Sequence, residues 1–134
     1  MKKLTLLLLL LVSTNVLAEW TQVFIKNDNK AIGYIDLQSR RKKDNKVKIW
    51  VLYDFKEVQR YGNTKALSES SHIEFDCENE TSQLLDNFTH TGNMRSGDIV
   101  LSERNIKNQP ESIIPGSFGE TVFNFNCVFY KFQH

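Results

Sequence analysis

The sequence predicts an α+β fold: an antiparallel β-sheet meander of about six strands, packed against a C-terminal α-helix and closed by one disulfide. Three observations support it. Apolar and polar residues alternate over several segments, which short polar turns separate. The last apolar segment follows a helix-capping sequence. The chain has two cysteines among its 134 residues, one in a strand pattern and one in the final element.

The N-terminus is typical of a secretory signal. Lys2 and Lys3 precede an apolar run that is too short to span a bilayer, and Ala18 ends a stretch suited to signal peptidase. We expect residues 1–18 to be the signal and residues 19–134 to be a single exported domain without a transmembrane segment. Because no cysteine lies near the cleavage site, we expect no lipid anchor. The location is then the periplasm or the outer cell surface.

Charge argues against nucleic acid as a partner. Removing Lys2 and Lys3 from the 17 basic residues leaves 15, against 16 acidic ones. A chain so nearly neutral lacks the basic excess that nucleic-acid binding requires.

The first half of the exported chain predicts three strands. Trp20–Lys26 and Ala31–Leu37 form a hairpin around the turn residues 27–29. A basic turn over residues 39–45 then leads to the strongest strand pattern, Val47–Phe55.

Both faces of this third strand are partly apolar. Val47, Ile49 and Val51 lie on one face, whereas Trp50 and Leu52 lie on the other. We therefore expect a central strand covered on both sides. The C-terminal segment is expected to cover Trp50.

The second half predicts three further strands. Their segments end at Cys77, span about 82–91, and span Asp98–Leu101. Gln59–Thr64 and Ser102–Ser112 are predicted loops, and Gly92–Gly97 is a predicted tight turn.

The C-terminal element admits two interpretations. Ser117 and Glu120 form a capping box, and Phe118, Val122, Phe125 and Phe129 follow at helical spacing. However, Phe123, Phe125 and Cys127 alternate with asparagines, as in a strand. The capping sequence favours a helix.

The two cysteines predict a bridge. Cys77 shares a strand face with Ile73 and Phe75, so it points towards the core. Export places Cys77 and Cys127 in an oxidising compartment. A bridge closing a loop of roughly 50 residues stabilises a fold by about 4 kcal/mol in the chain-entropy model.

Catalysis and metal binding are not expected. His72, Glu74 and Asp76 share a strand face, with His90 on a neighbouring strand, but same-face residues lie about 7 Å apart, too far to converge on one ion. No Gly-x-Ser-x-Gly elbow is present. We therefore expect a non-catalytic domain without a cofactor.

One basic cluster stands out from the balanced charge. It is a candidate ligand-binding patch and comprises Arg40, Arg41, Lys42, Lys43, Lys46 and Lys48. An acidic matrix protein, a sulfated glycan or anionic lipid headgroups would suit it. The alternative is a solvated hairpin that discourages pairing between sheet edges.

Several segments together resemble the surface-adhesin protein E-like family of small exported bacterial domains. They are Glu19-Trp20-Thr21, residues 47–55, Glu74-Phe75-Asp76-Cys77, Gly92-Asn93-Met94 with Ser96-Gly97, and residues 115–121 before Cys127. The resemblance implies an antiparallel sheet packed on a C-terminal helix, with the cysteines joined. It also implies adhesion to host extracellular-matrix proteins such as vitronectin and laminin. Two functions stay open: a surface adhesin of this type, and a periplasmic structural or accessory domain with no host ligand.

Overall fold

An antiparallel β-sheet and one helix form the structure, a computed structural model that describes the backbone of residues 19–132 and side chains up to residue 128. The signal predicted for residues 1–18 lies outside the described residues. Six strands pair in sequence order: β1 Trp20–Ile25, β2 Ala31–Lys43, β3 Lys46–Tyr61, β4 Thr64–Asp76, β5 Thr81–His90 and β6 Ile99–Glu103. The two-residue β7, Glu111–Ser112, also pairs with β5, and helix α1 spans Phe118–Phe132. The predicted α+β fold is confirmed.

One predicted turn and one predicted loop are wrong, because the strands run through most of both segments. The basic segment 39–45 belongs mainly to β2, which pairs with β3 as far as Lys43 opposite Lys46. Only Asp44 and Asn45 form the turn. Similarly, β3 and β4 continue through most of Gln59–Thr64, up to the pair Tyr61 and Thr64. Charged, solvated residues hide the alternating pattern at hairpin ends, although the backbone ladder continues there.

Two other segments differ in their details. The predicted turn Gly92–Gly97, here called the 92–97 loop, contains a 3-10 turn over Asn93–Arg95. The predicted loop Ser102–Ser112 is shortened at both ends, by β6 and β7.

The capping sequence does start a helix, which excludes the strand interpretation. Ser117 Oγ accepts a hydrogen bond from the Glu120 backbone N–H at 3.1 Å, and Glu120 Oε1 accepts one from the Gly116 N–H at 3.3 Å. These bonds satisfy donors at the helix N-terminus. Phe125 does not share the buried face as its spacing suggested, since 42% of it is exposed.

The core lies between α1 and one sheet face, called the helix face below. The buried strand residues are Ile35, Val47, Ile49, Val51 and Phe75, and the helix contributes Phe118, Val122, Phe123 and Cys127. The predicted disulfide is confirmed: Cys77 and Cys127 are joined, both buried, with a Cα–Cα distance of 5.4 Å. The bridge ties the C-terminal part of α1 to the end of β4.

Gly33 sets how closely the helix approaches the sheet. The Phe118 ring lies directly on its backbone, and a Cβ at this position would be 2.5 Å from Phe118 Cε2. The ring also packs against Tyr53 at 4.8 Å and Phe24 at 5.4 Å between centroids. Only glycine leaves room for this contact.

The expectation that the C-terminal segment covers Trp50 is wrong. Trp50 lies on the opposite sheet face, called the back face, where its ring stacks on His72 at 4.8 Å and on Phe88 at 5.9 Å. The Arg95 guanidinium lies 5.8 Å from the Trp50 ring centroid. The helix instead covers the face that carries Val47, because that face continues into the apolar residues of β2 and β4.

Hydrogen bonds attach the 92–97 loop to β3 and β4 on the back face of the sheet. Ser68 Oγ donates to the Gly92 carbonyl at 2.7 Å and accepts from the Arg95 N–H at 2.9 Å. The Met94 N–H donates to Asp54 Oδ1 at 2.7 Å. The loop is thus fixed over the back face, where Leu52 is fully buried.

Among the described residues, no helix has the length and apolar composition needed to cross a membrane.

Candidate functional site

The six basic residues predicted as one patch divide between the two sheet faces. Pairing places Arg41 opposite Lys48 and Lys43 opposite Lys46. These four residues, called the basic face below, lie on the back face of the sheet in line with Trp50.

The other two residues, Arg40 and Lys42, point to the helix side. Lys42 pairs with the buried Val47, and Arg40 Nη2 donates to the Asn126 carbonyl of α1 at 3.3 Å. Arg40 therefore helps to attach the helix to the sheet. The structure brings four of the predicted residues together and separates two from them.

Glu74 lies between the cations of the basic face. Its carboxylate oxygens are 3.8 Å from Lys46 Nζ and 3.9 Å from Lys48 Nζ. The lysine side chains are about half exposed, whereas the Glu74 side chain is 20% exposed. Ion pairs this long and this solvated contribute little to stability, so both ammonium groups stay accessible to an external anion.

The basic face borders a shallow depression of about 520 Å³. Its lining comprises Arg41, Lys43, Asp44, Asn45, Lys46, Lys48 and Glu74. Four cations against two carboxylates leave a positive excess of two charges. Such a surface attracts polyanions, with an attraction that salt screens over about 8 Å.

Asp76 organises the turns beside this depression. Its Oδ1 accepts hydrogen bonds from Asn45 Nδ2 at 2.7 Å and from the N–H groups of Glu78 and Asn79. Burial raises the pKa of Asp76, but the hydrogen bonds from Asn79, Glu78 and Asn45 outweigh burial, so the pKa lies below its ordinary value. The carboxylate thus fixes the β2–β3 turn against the end of β4.

The histidines and carboxylates of the predicted polar strand face have separate partners. His72 Nδ1 lies 3.1 Å from Asp86 Oδ2, and Glu74 and Asp76 have the contacts given above. His90 is buried, and burial followed by the Arg95 charge lowers its pKa. Within residues 19–128, no three His, Cys, Asp or Glu side chains are grouped so that they could hold a metal ion.

Sequence reasoning missed a second concave surface, on the helix face. Tyr53 and Glu69, which are opposite each other in the β3–β4 pairing, both line it, and it has a volume of about 680 Å³. One signal was available: strand alternation places Glu69 on the same face as Ile73 and Phe75, so a carboxyl group occupies a position on the core-facing side.

Known structures share this architecture. A crystal form of Haemophilus influenzae protein E is 13% identical, with a TM-score of 0.62 over 82% of this chain and 89% of that chain. Protein E from non-typeable Haemophilus influenzae is 15% identical, with a TM-score of 0.63 over 88% of this chain and 81% of that chain. At such low identity, this likeness concerns the fold alone.

Sequence comparison supplies the family. No curated protein matches the chain. However, the family profile described as surface-adhesin protein E matches residues 20–128, which comprise β1 to β7 and most of α1. The chain therefore belongs to the surface-adhesin protein E family.

Proposed function

We propose that this protein is a non-catalytic, exported surface adhesin whose ligand docks on the basic face. The observation that carries the proposal is the alignment of Arg41, Lys43, Lys46 and Lys48 on two paired strands, with all four residues exposed. Membership of an adhesin family supports a binding role. The ligand class that fits is a polyanion: a sulfated glycan, or an acidic segment of a matrix protein such as vitronectin or laminin.

The geometry favours binding by charge density over binding in a deep pocket. Strand pairing holds the four cations in two cross-strand pairs, and side chains in such pairs have Cβ atoms about 5 Å apart. Repeated sulfate or carboxylate groups along an extended ligand could contact several of these cations at once. Because the charges are exposed, their contribution falls as salt rises.

The test compares two variants of equal charge. The first carries Arg41→Ser, Lys43→Ser, Lys46→Ser and Lys48→Ser. The control carries Lys56→Ser, Arg60→Ser, Lys65→Ser and Lys107→Ser, which removes four exposed cations elsewhere. Retention on immobilised heparin, vitronectin and laminin is measured at low and physiological salt, after circular dichroism has shown that both variants are folded.

We expect the first variant to lose retention and the control to keep most of it. Equal losses would mean that net charge, and not the basic face, governs binding. If the parent protein binds none of the three ligands, the adhesin proposal fails, and a periplasmic structural or accessory role becomes the better account.

The Glu74 carboxylate offers a second, opposite test. Glu74→Gln removes the negative charge that lies between Lys46 and Lys48, so we expect stronger retention on heparin than in the parent. Unchanged or weaker retention would place the ligand away from the basic face.

A further inference from the structure

The helix leaves part of its own sheet face uncovered. Helix α1 begins at Phe118, whose ring lies on Gly33, and Gly33 is opposite Tyr53 in the β2–β3 pairing. Beyond this point β3 continues to Tyr61, and no residue of α1 lines the surface there in the part of the chain that the structure describes. The result is a cleft, called the Tyr53 cleft, of about 680 Å³ between the β1–β2 turn and the far end of β3. Ligand pockets commonly have volumes of about 300–1,000 Å³.

The floor of the Tyr53 cleft is aromatic. The rings of Tyr53 and Phe55 are nearly parallel, with an interplanar angle of 6° and centroids 5.9 Å apart. Both residues are only partly buried. Aromatic faces that remain accessible to ligand attract cations through the ring quadrupole.

Glu69 places a carboxylate beside these rings. It lies directly opposite Tyr53 in the β3–β4 pairing and lines the same cleft. Among the described residues, no lysine, arginine or histidine nitrogen comes within ion-pair distance of its carboxylate oxygens. Burial raises the pKa of Glu69, a hydrogen bond with the Asn87 side chain lowers it and the Glu103 charge raises it, with a net rise.

The raised pKa of Glu69 means that its carboxylate lowers the stability of the folded protein at neutral pH. Because the folded-state pKa exceeds the unfolded one, the folded protein holds the proton more strongly, and the contribution of Glu69 to stability falls as pH rises through that interval. The hydrogen bond from Asn87 offsets part of this cost but brings no positive charge, and partly buried carboxylates without a cation partner are concentrated at functional sites. A cation supplied by a partner would compensate this carboxylate.

The other charged residues that line the cleft are distributed unevenly between its walls. Lys26 and Lys30 line the wall formed by the β1–β2 turn, with Asp28 between them in sequence. That wall is separated from Glu69 by β2 and β3. The lining thus contains two lysines and three carboxylates, those of Asp28, Glu57 and Glu69, and Glu69 lies on the wall away from the lysines.

We propose that the Tyr53 cleft binds a lysine or arginine side chain of a peptide segment, with its cation over the Tyr53 and Phe55 rings and paired with Glu69. The side chain's methylene stem packs on the rings while its charge meets the carboxylate. This site is independent of the basic face, which lies on the opposite side of the sheet. The two surfaces select ligands of opposite charge.

The test uses two peptides that differ in one charge. The exported protein is titrated with Gly-Gly-Arg-Gly-Gly and, separately, with Gly-Gly-Gln-Gly-Gly, while backbone amide shifts are followed by NMR. We expect the arginine peptide to give saturable shifts at Tyr53, Phe55 and Glu69. The glutamine peptide should bind at least about tenfold more weakly, the factor that corresponds to one charge-assisted hydrogen bond.

Glu69→Gln and Glu111→Gln form a matched pair of variants. Glu111 is exposed on β7 and does not line the cleft. We expect Glu69→Gln to lose arginine-peptide binding while its unfolding midpoint at neutral pH stays at or above that of the parent, because a partly buried carboxylate without a cation partner is removed. Glu111→Gln should bind as the parent does.

Three results would overturn the proposal: equal binding of the two peptides, unchanged binding by Glu69→Gln, or shifts that map outside the cleft. Acid provides a further check, since protonating Glu69 should weaken binding as pH falls below its raised pKa. Binding that does not change with pH in this range would also count against it.

Discussion

Gly33→Ala probes the contact that positions the helix on the sheet. The added Cβ would lie 2.5 Å from Phe118 Cε2, 2.7 Å from Cδ2 and 2.8 Å from Cζ. Ordinary contacts between carbon atoms are about 3.5–4.0 Å, so the ring must move by roughly 1 Å. Tyr53 and Phe24 pack against the same ring and resist that movement. We expect a loss of about 1–3 kcal/mol in the free energy of unfolding, as for other overpacked cores.

A double-mutant cycle separates this clash from any general effect of alanine. Phe118 is 8% exposed, so Phe118→Ala alone should cost about 3–5 kcal/mol. Once the ring is absent, Gly33→Ala meets no obstacle, and alanine is favoured over glycine in a strand by about 0.5–1 kcal/mol. The effect of Gly33→Ala should therefore change sign in the Phe118→Ala background.

Urea unfolding of the four oxidised proteins, followed by circular dichroism, measures the cycle. The interaction energy should be at least about 1.5 kcal/mol, the sum of the relieved clash and the regained strand preference. Equal effects of Gly33→Ala in both backgrounds would refute the placement of Phe118 on Gly33. The helix would then begin elsewhere on the sheet.

Three further predictions concern stability. Replacing Cys77 and Cys127 together by alanine should lower the free energy of unfolding by about 4 kcal/mol, measured in urea against the oxidised parent. A loss below about 1 kcal/mol would show that the bridge does not constrain the unfolded chain. The free energy of unfolding should fall as the medium is acidified below about pH 6.5, because buried His90 has a lowered pKa and the unfolded chain binds the proton first. His90→Asn should remove that part of the pH dependence, and an unchanged pH profile in this variant would contradict the assignment to His90. Trp50→Ala should cost about 2–3 kcal/mol, less than the loss of a fully buried tryptophan, because Trp50 is half-buried against His72 and Phe88. Calorimetry checks this, with Tyr34→Ala as a half-buried comparison, and a cost below about 1 kcal/mol would mean that the stack of rings is not formed.

Local sequence signals predicted the elements well. The alternation from Val47 to Phe55 identified β3, and Ser117 with Glu120 identified the start of α1, because strand period and helix capping depend on neighbouring residues only. The disulfide followed from the compartment and from the core-facing position of Cys77.

The face that the helix covers could not be predicted in this way. Both faces of β3 carry apolar residues, and the sequence around Trp50 does not tell which of them meets α1. The choice depends on distant residues: Gly33 admits the Phe118 ring on one side, and the 92–97 loop covers the other through Ser68 and Asp54. Such contacts depend on tertiary structure and have no local signal.

The sequence indicated which residues could form the candidate patch but not how they are arranged. When residues 39–45 are interpreted as a turn, Arg40 and Arg41 have no defined direction. Once β2 extends through Lys43, successive residues point to opposite faces, and Arg40 joins the helix while Arg41 joins the basic face. The Tyr53 cleft was missed because the corresponding error was made at the β3–β4 hairpin, where Gln59–Thr64 was interpreted as a loop. The cleft lies along the part of β3 that extends beyond the helix.

A surface adhesin must expose this domain on the outside of the cell. Trypsin treatment of intact cells tests this exposure, with mass spectrometry of the released peptides and a periplasmic protein as the control for cell integrity. We expect peptides from residues 19–134 to be released while the periplasmic control stays protected. Release only after the outer membrane is permeabilised would contradict a surface adhesin.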